Sequence, residues 1–533
     1  MQSEIKKIVI VGGGTAGWIT AGLIAAKHLS ANSTSSDNSI SVTVIESPNV
    51  PTIGVGEGTW PSMRETLKTI GINEADLFTC CDASFKQASK FIHWKNAPCA
   101  KADTDLSKQS YFHPFSLPSG INKLNLGTYI GEQSSLISSS QTFAQQVCFQ
   151  SILCEQNLAP KQITHKAYDY VANYGYHLNA CKFAELLKKH CLNKLGVQYI
   201  SAHITQINND LCDDISSLST DTAGAIEGDL FVDCSGAQSL LLGKHYNIEF
   251  CSKKSVLFND SALAVQIPYE TPEATIASST LSTAQTAGWI WDIGLQSRRG
   301  VGHVFSSRHI SDESAEQELL NYIKQSGTSV NLDDLSIRKL SFEPGYYKKF
   351  WHRNCVAVGM SAGFIEPLEA SALAMVEQAA QMISEQLPTT KLTMEIIAKR
   401  FNEKFTQHWQ QIIEFLKLHY VLSKRTDSSY WLDNKDPLTI PQSLQDMLEL
   451  WKFQPPSSYD IPHNNPLFPA ASYQYVLYGM NFTTEQLRPN NQNTQLMHQL
   501  LADVQNKRQQ LVKAMGSNRD LINKIKQYGL TSI

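Results

Sequence analysis

At 533 residues, 42% of them hydrophobic and with a net charge of −4, the chain can bury a large core and is expected to hold two or three modules. Its basic and acidic side chains are dispersed, which excludes a basic tail for nucleic acid and an acidic disordered block. The only apolar run near the N-terminus is glycine-punctuated rather than a cleavable leader, and the 11 cysteines are scattered without C-x-x-C pairs. They read as reduced thiols used as small hydrophobes, so a cytoplasmic protein without a metal site, a membrane span or a nucleic-acid partner is expected.

The first twenty residues carry the most specific signal, KKIVIVGGGTAGWITAG. Ile8 to Val11 are β-branched and read as a buried strand. Gly12, Gly14 and Gly17 follow at G-x-G-x-x-G spacing and lead through Thr15 and Ala16 into a helix reaching about His28. In such a turn the first glycine permits the bend, the second lets the backbone approach a pyrophosphate, and the third lets helix pack on strand. A second strand, Ile40 to Ile45, ends in Glu46, the acid expected on a ribose hydroxyl, and the extra spacing is the polar loop SANSTSSDNS. A membrane span over Ile8 to Ala26 is the competing reading; the three glycines, the second strand and Glu46 argue against it. Gly54, Gly56 and Gly58 then imply backbone passing close to something flat, an isoalloxazine or simply a surface turn. A short helix is expected over Met63 to Ile70, followed by an apolar segment that Lys86, Lys90 and Lys95 punctuate.

From Lys95 to about Lys161 the chain is Ser/Gln-rich and irregular, with SYFHPF inside it, and reads as an insert capping a pocket. YGYHLNACKFAELLKKHCLNKLGVQYI reads as strand, amphipathic helix, strand, and GDLFVDCSG as a further apolar strand closing on a glycine turn. Residues 246 to 340 alternate with period two, as in a β-rich layer laid across a ligand. Within it Trp289 and Trp291, at i and i+2, form either an aromatic wall or plain core. Cys355 to Gly359 reads as a strand and Ser361 to Gly363 as a turn. A helix is expected from about Glu369 to Leu387, with Glu366 and Glu369 as acids at its start. Beyond residue 388 the pattern is helical, with Pro- and Asn-rich links and one or two amphipathic helices over 497–528.

Five segments in order, GGGTAGW, GVGE, S-F-K-x-A-x-K-F, W-x-W-x-I and G-x-S-x-G-F-x-E-P-L-E, resemble the flavin-dependent tryptophan halogenases over roughly residues 5 to 425. The resemblance implies an α/β fold: a Rossmann-like FAD-binding module of the two-dinucleotide flavoprotein monooxygenase type over 1–400, with substrate inserts at roughly 95–165 and 246–340. A mainly helical module for substrate or dimerisation would follow over 401–533. It implies Lys86 and Glu369 as catalytic residues. FAD would contact Gly12, Gly14, Thr15, Ala16, Gly17, Glu46, Val55, Gly56, Val197, Met360 and Leu373. Halide would sit on the backbone N–H groups of Ser371 and Ala372, and His113, Phe115, Trp289 and Trp291 would line the substrate side. Two positions depart from the family pattern: Gly294 stands where a proline is usual, and Ala370 where a serine contacts substrate. The implied function is an FADH2-dependent halogenase using O2 and chloride or bromide on an electron-rich aromatic, tryptophan or another indole, through hypohalous acid held by the lysine. A separate NADH-dependent flavin reductase would supply FADH2; apart from the resemblance, the terminal helices are expected to pair two subunits in a homodimer. The alternatives are a single-component FAD-dependent monooxygenase and a non-catalytic flavin-binding protein.

Overall fold

The computed structural model describes residues 4–29, 40–50, 56–98, 109–129, 141–461, 466–485 and 492–531. The chain forms two compact units, each visited three times: Met1–Ala83, Leu178–Lys253 and Glu343–Trp409 make the first, and Ser84–His177, Lys254–Phe342 and Gln410–Ile533 the second. A boundary at residue 400 falls inside the helix Lys391–Val421.

The first unit is built on a six-stranded sheet in the order Trp351–His352, Cys355–Ala357, Leu230–Asp233, Lys7–Val11, Ser41–Glu46, Gln198–Ser201. All neighbours run parallel except the first pair. Parallel strands are covered on both faces, which is why Ile8, Val9, Ile10 and Val11 form an unbroken buried run rather than an alternating one. The helix Thr15–His28 packs between Ser371–Glu385 and Ala180–Lys194 and buries Trp18, Ile19, Ala21, Ile24 and Ala25 around most of its circumference. Ser384 ties two of these helices together: its hydroxyl donates to the Leu23 carbonyl (2.9 Å), and its own carbonyl lies 2.7 Å from His28 Nε2.

The second unit holds a seven-stranded sheet in the order Arg338–Ser341, Ser261–Pro268, Arg298–Phe305, Gly288–Gly294, Ser279–Gln285, Ala88–Ile92, Ser110–Pro114. Its pairs are antiparallel except Ser279–Gln285 with Ala88–Ile92. One face is covered by the helix Asp312–Gln325, whose Ala315, Leu319 and Ile323 pack on Leu263, Val265, Ile290 and Val301. The period-two reading of 246–340 therefore omits a helix. Its signals are local: Ser311 caps it, Asp312 and Glu313 follow, and the apolar residues recur at i, i+4, i+8. The irregular reading of 95–161 also needs correction, since Ser110–Pro114 is a fully buried edge strand of this sheet and Phe143–Val147 and Gln150–Glu155 are short helices. The C-terminal region is helical as expected, with Gln492–Ala514 and Asn518–Tyr528 as its last elements. Among the described residues no helix is long and apolar enough to cross a membrane.

Candidate active site

In the first unit the loop after Lys7–Val11 shows what each glycine is for. Gly12 has φ +119°, and a Cβ there would lie 2.1 Å from the Cys234 carbonyl oxygen of the adjacent strand connection. A Cβ on Gly17 would lie 1.9 Å from the Gly12 carbonyl, so both positions exclude any side chain. Gly14 differs. At φ −78° it caps the helix without a side-chain bond, and a Cβ there would meet nothing within 4 Å. Open space lies before an uncapped helix N-terminus with no acid in its first turn, Thr15 and Ala16 included. This is an arrangement suited to an anion such as a pyrophosphate.

Four further residues of the expected cofactor set, Glu46, Val197, Met360 and Leu373, lie in or beside that sheet or helix. The Glu46 carboxylate closes under Gly13, where a Cβ would come within 2.2 Å of its Cδ, and Oε2 accepts from Lys188 Nζ at 2.7 Å. Val197 is buried immediately before the edge strand Gln198–Ser201, which pairs with Ser41–Glu46. Met360 lies in the 3-10 turn Gly359–Ser361, whose Gly359, at φ +76°, faces Ala16. Leu373 is buried in the first turn of Ser371–Glu385. Gly56 is left-handed at φ +105°, while Val55 lies outside the described residues.

The helix expected from Glu369 begins two residues later, at Ser371, and ends at Glu385. Glu366 and Glu369 therefore precede the helix as buried loop residues instead of sitting in its first turn. The cause is Ala370, which adopts φ +55°, ψ +40°, and breaks helical geometry between Glu369 and Ser371. No side chain caps this helix, so the N–H groups of Ser371 and Ala372 face forward as donors. Further along, the buried Glu377 carboxyl accepts from Thr66 Oγ1 (2.6 Å) and Ser62 Oγ (3.2 Å). Burial pushes its pKa from 4.5 up to about 8, against the lowering effect of the two hydroxyls. Because the folded chain holds this proton more tightly than the unfolded one, stability falls as pH rises from the carboxylate range through about 8. Glu377→Gln removes that dependence: between pH 5 and pH 9, by roughly a few degrees, the wild-type Tm should drop more than the variant's. Parallel Tm curves would contradict the assignment.

In the second unit Lys86 is fully buried at the end of the strand Ser84–Lys86, which pairs antiparallel with Gly175–Leu178, and its Nζ lies 5.4 Å from the centre of the Phe115 ring. Ser84, on the same side of that strand, donates to the Gly294 carbonyl and so ties it to the strand bearing Trp289 and Trp291. Strand register places Trp289 and Trp291 on one face of the large sheet with Ser282, Phe91, Tyr111, Ser89 and His113. Trp289 and Trp291 meet edge to face with centroids 6.4 Å apart, and Phe91 stacks on Tyr111 at 4.8 Å. The Trp291 indole fills the space opposite Gly302, where a Cβ would come within 2.1 Å of it. Gly302 is thus the complement of the tryptophan, a pairing hidden in the run RGVGHVF. His113 packs against Phe415 and Tyr475, with Nε2 2.9 Å from Ser472 Oγ.

Sequence reading did not single out His177. It is buried opposite Ser84, two strand positions from Gly175, the partner of Lys86, with Nε2 2.8 Å from Thr280 Oγ1. Burial, and then the Lys86 charge, hold its pKa well below the ordinary range, so it is a neutral imidazole at neutral pH. The last helix also reaches this strand, as the Asn518 amide donates to the Phe85 carbonyl at 3.1 Å.

A tryptophan halogenase family model matches residues 7–495 of the chain. Among solved structures, a tryptophan halogenase of Shewanella frigidimarina superposes with a TM-score of 0.94 at 50% identity, covering 100% of both chains. A tryptophan C-6 flavin-dependent halogenase (chlorinase) from taromycin biosynthesis superposes with a TM-score of 0.87 at 29% identity, covering 98% of this chain and 100% of that one. Tryptophan 6-halogenase ThaL of Streptomyces albogriseolus is 29% identical over 545 aligned positions, 98% of this chain and 99% of its own length.

Proposed function

The chain belongs to the tryptophan halogenase family, and from that membership and the two clusters above we propose that it is an FADH2-dependent halogenase acting on tryptophan or another indole. The observation that carries the proposal is Lys86: a lysine is rarely buried completely, and this one ends a strand whose Ser84 bonds the backbone of the strand bearing Trp289 and Trp291. FAD would lie with its pyrophosphate over Gly14 and the N–H groups of Thr15 and Ala16, a ribose at Glu46, the adenine beside Val197, and further contacts at Gly56, Met360 and Leu373. Bound there as FADH2, supplied by a separate NADH-dependent reductase, it would supply, with O2 and chloride or bromide, the hypohalous acid.

The chain's own residues do the rest. Ser371 and Ala372 present backbone donors that hold the halide, a role that survives the departure at Ala370 because it needs no side chain. Lys86 holds the oxidant, by hydrogen bonding or as a haloamine. Trp289, Trp291, His113 and Phe115 exclude water and orient the ring. Glu369 stabilises the cation developing on the ring and accepts its proton.

Purified protein given FAD, NADH, O2 and bromide should consume no NADH and form no product until an unrelated flavin reductase is added. Brominated tryptophan or indole should then appear. NADH oxidation by the protein alone, with an oxygenated product, would point to a single-component monooxygenase.

A further inference from the structure

The segment that leads into the helix Met63–Ile70 holds the Glu369 loop. The Trp60 indole Nε1–H donates to the Glu369 backbone carbonyl at 2.8 Å. Trp60 is itself fixed: its carbonyl accepts from Met63 N–H at 3.1 Å, opening the helix Met63–Ile70. The same short segment bonds the following helix a second time, through Ser62 and Thr66 on Glu377. Residues 60–66 thus grip both ends of the stretch 369–377.

The grip falls where the backbone is least relaxed. A turn closed by the Ala370 N–H on the Pro367 carbonyl (3.0 Å) is followed by Ala370 at φ +55°. A non-glycine residue keeps that conformation only where its surroundings impose it. A change in ψ at Glu369 or in φ at Ala370 that the other does not compensate would turn the Glu369 side chain relative to the Ser371 and Ala372 donors. The indole bond is made to the oxygen of that very peptide.

We propose that Trp60 is a positioning residue, setting the Glu369–Ala370 peptide plane through its indole N–H and thereby aiming the Glu369 carboxylate. The inference rests on the proposed role of Glu369. A conventional hydrophobic contact would need only the ring; this role needs the N–H.

The test replaces Trp60 with β-(3-benzothienyl)alanine, which keeps the ring shape but carries sulfur in place of N–H, and in parallel with Trp60→Phe. With reductase-supplied FADH2, kcat for halogenation should fall about tenfold, the scale of one lost bond plus misalignment. KM for the indole and Kd for FAD should stay within about twofold. In a Glu369→Gln background the Trp60→Phe change should cost less than about twofold, because the residue acts through Glu369. In the protein without cofactor, the Trp60 indole proton should exchange with solvent at least about 10²-fold more slowly than an open indole. A wild-type kcat in the isostere, a loss confined to KM or FAD affinity, an undiminished loss in the Glu369→Gln background, or fast indole exchange would each overturn the assignment. If Glu369→Gln itself retained full activity while the indole proton was protected, the contact would stand and the reading of Glu369 would fail.

Discussion

Lys86→Met is expected to abolish halogenation, by about 10³-fold or more, while leaving the fold and flavin binding in place. Methionine keeps the length and volume of the buried stem, so the variant tests the ammonium and not the packing around it. Lys86 is not among the residues proposed to hold FAD, so FAD affinity should be unchanged. An internal control accompanies the loss. His177 is held low first by burial and then by the Lys86 charge. In the methionine variant its pKa should rise while remaining below the ordinary histidine range, because the larger cause persists. Loss of activity with an unchanged His177 titration, measured by NMR, would mean that Lys86 does not carry its charge where the geometry places it.

The second large effect separates fold from ligand at two glycines two residues apart. Gly12→Ala should destabilise the protein by several kcal/mol, on the order of the worst single substitutions. Its Cβ would collide with a main-chain oxygen at 2.1 Å, in a backbone conformation of φ +119°. Gly14→Val should shift stability by no more than about 1–2 kcal/mol, since its position opens onto empty space. Yet it should weaken FAD binding by about 100-fold or more, a loss of roughly 3 kcal/mol, because the valine occupies the space proposed for the pyrophosphate. Thermal melts and flavin-fluorescence titrations of the two variants check this. A Gly14→Val protein that binds FAD normally would place the cofactor elsewhere.

What could be read from residue order alone follows the range over which each constraint acts. The strand, glycine turn and helix over Lys7–His28 were legible because Gly12 and Gly17 are demanded by backbone contacts within one short motif and its neighbouring strand. The fold class and the resemblance to tryptophan halogenases followed from that motif and four further segments, and the family match agrees with both. The helix start at Ser371 was missed because Pro367 and two acids imitate a helix N-terminus, and nothing local signals a left-handed Ala370. Asp312–Gln325 was missed for a different reason: its cap and i, i+4 pattern are explicit, but a surrounding run of strands masked them. The burial of Lys86, its neighbour His177 and the Ser84 bond to Gly294 depend on strands far apart in sequence, and the match of Gly302 to Trp291 depends on the exact register of a hairpin. Periodicity carries no information about such pairings. Trp60 belongs with these, since its partner lies 309 residues away.

The most direct test is the mass spectrum of tryptophan and simple indoles after incubation with the purified protein, FAD, an unrelated flavin reductase, NADH, O2 and bromide, with Lys86→Met alongside. The account predicts a product with the paired isotope signature of one bromine, present with the wild-type chain and absent with the variant, while both bind FAD. A product carrying added oxygen and no bromine, or equal bromination by Lys86→Met, would contradict it.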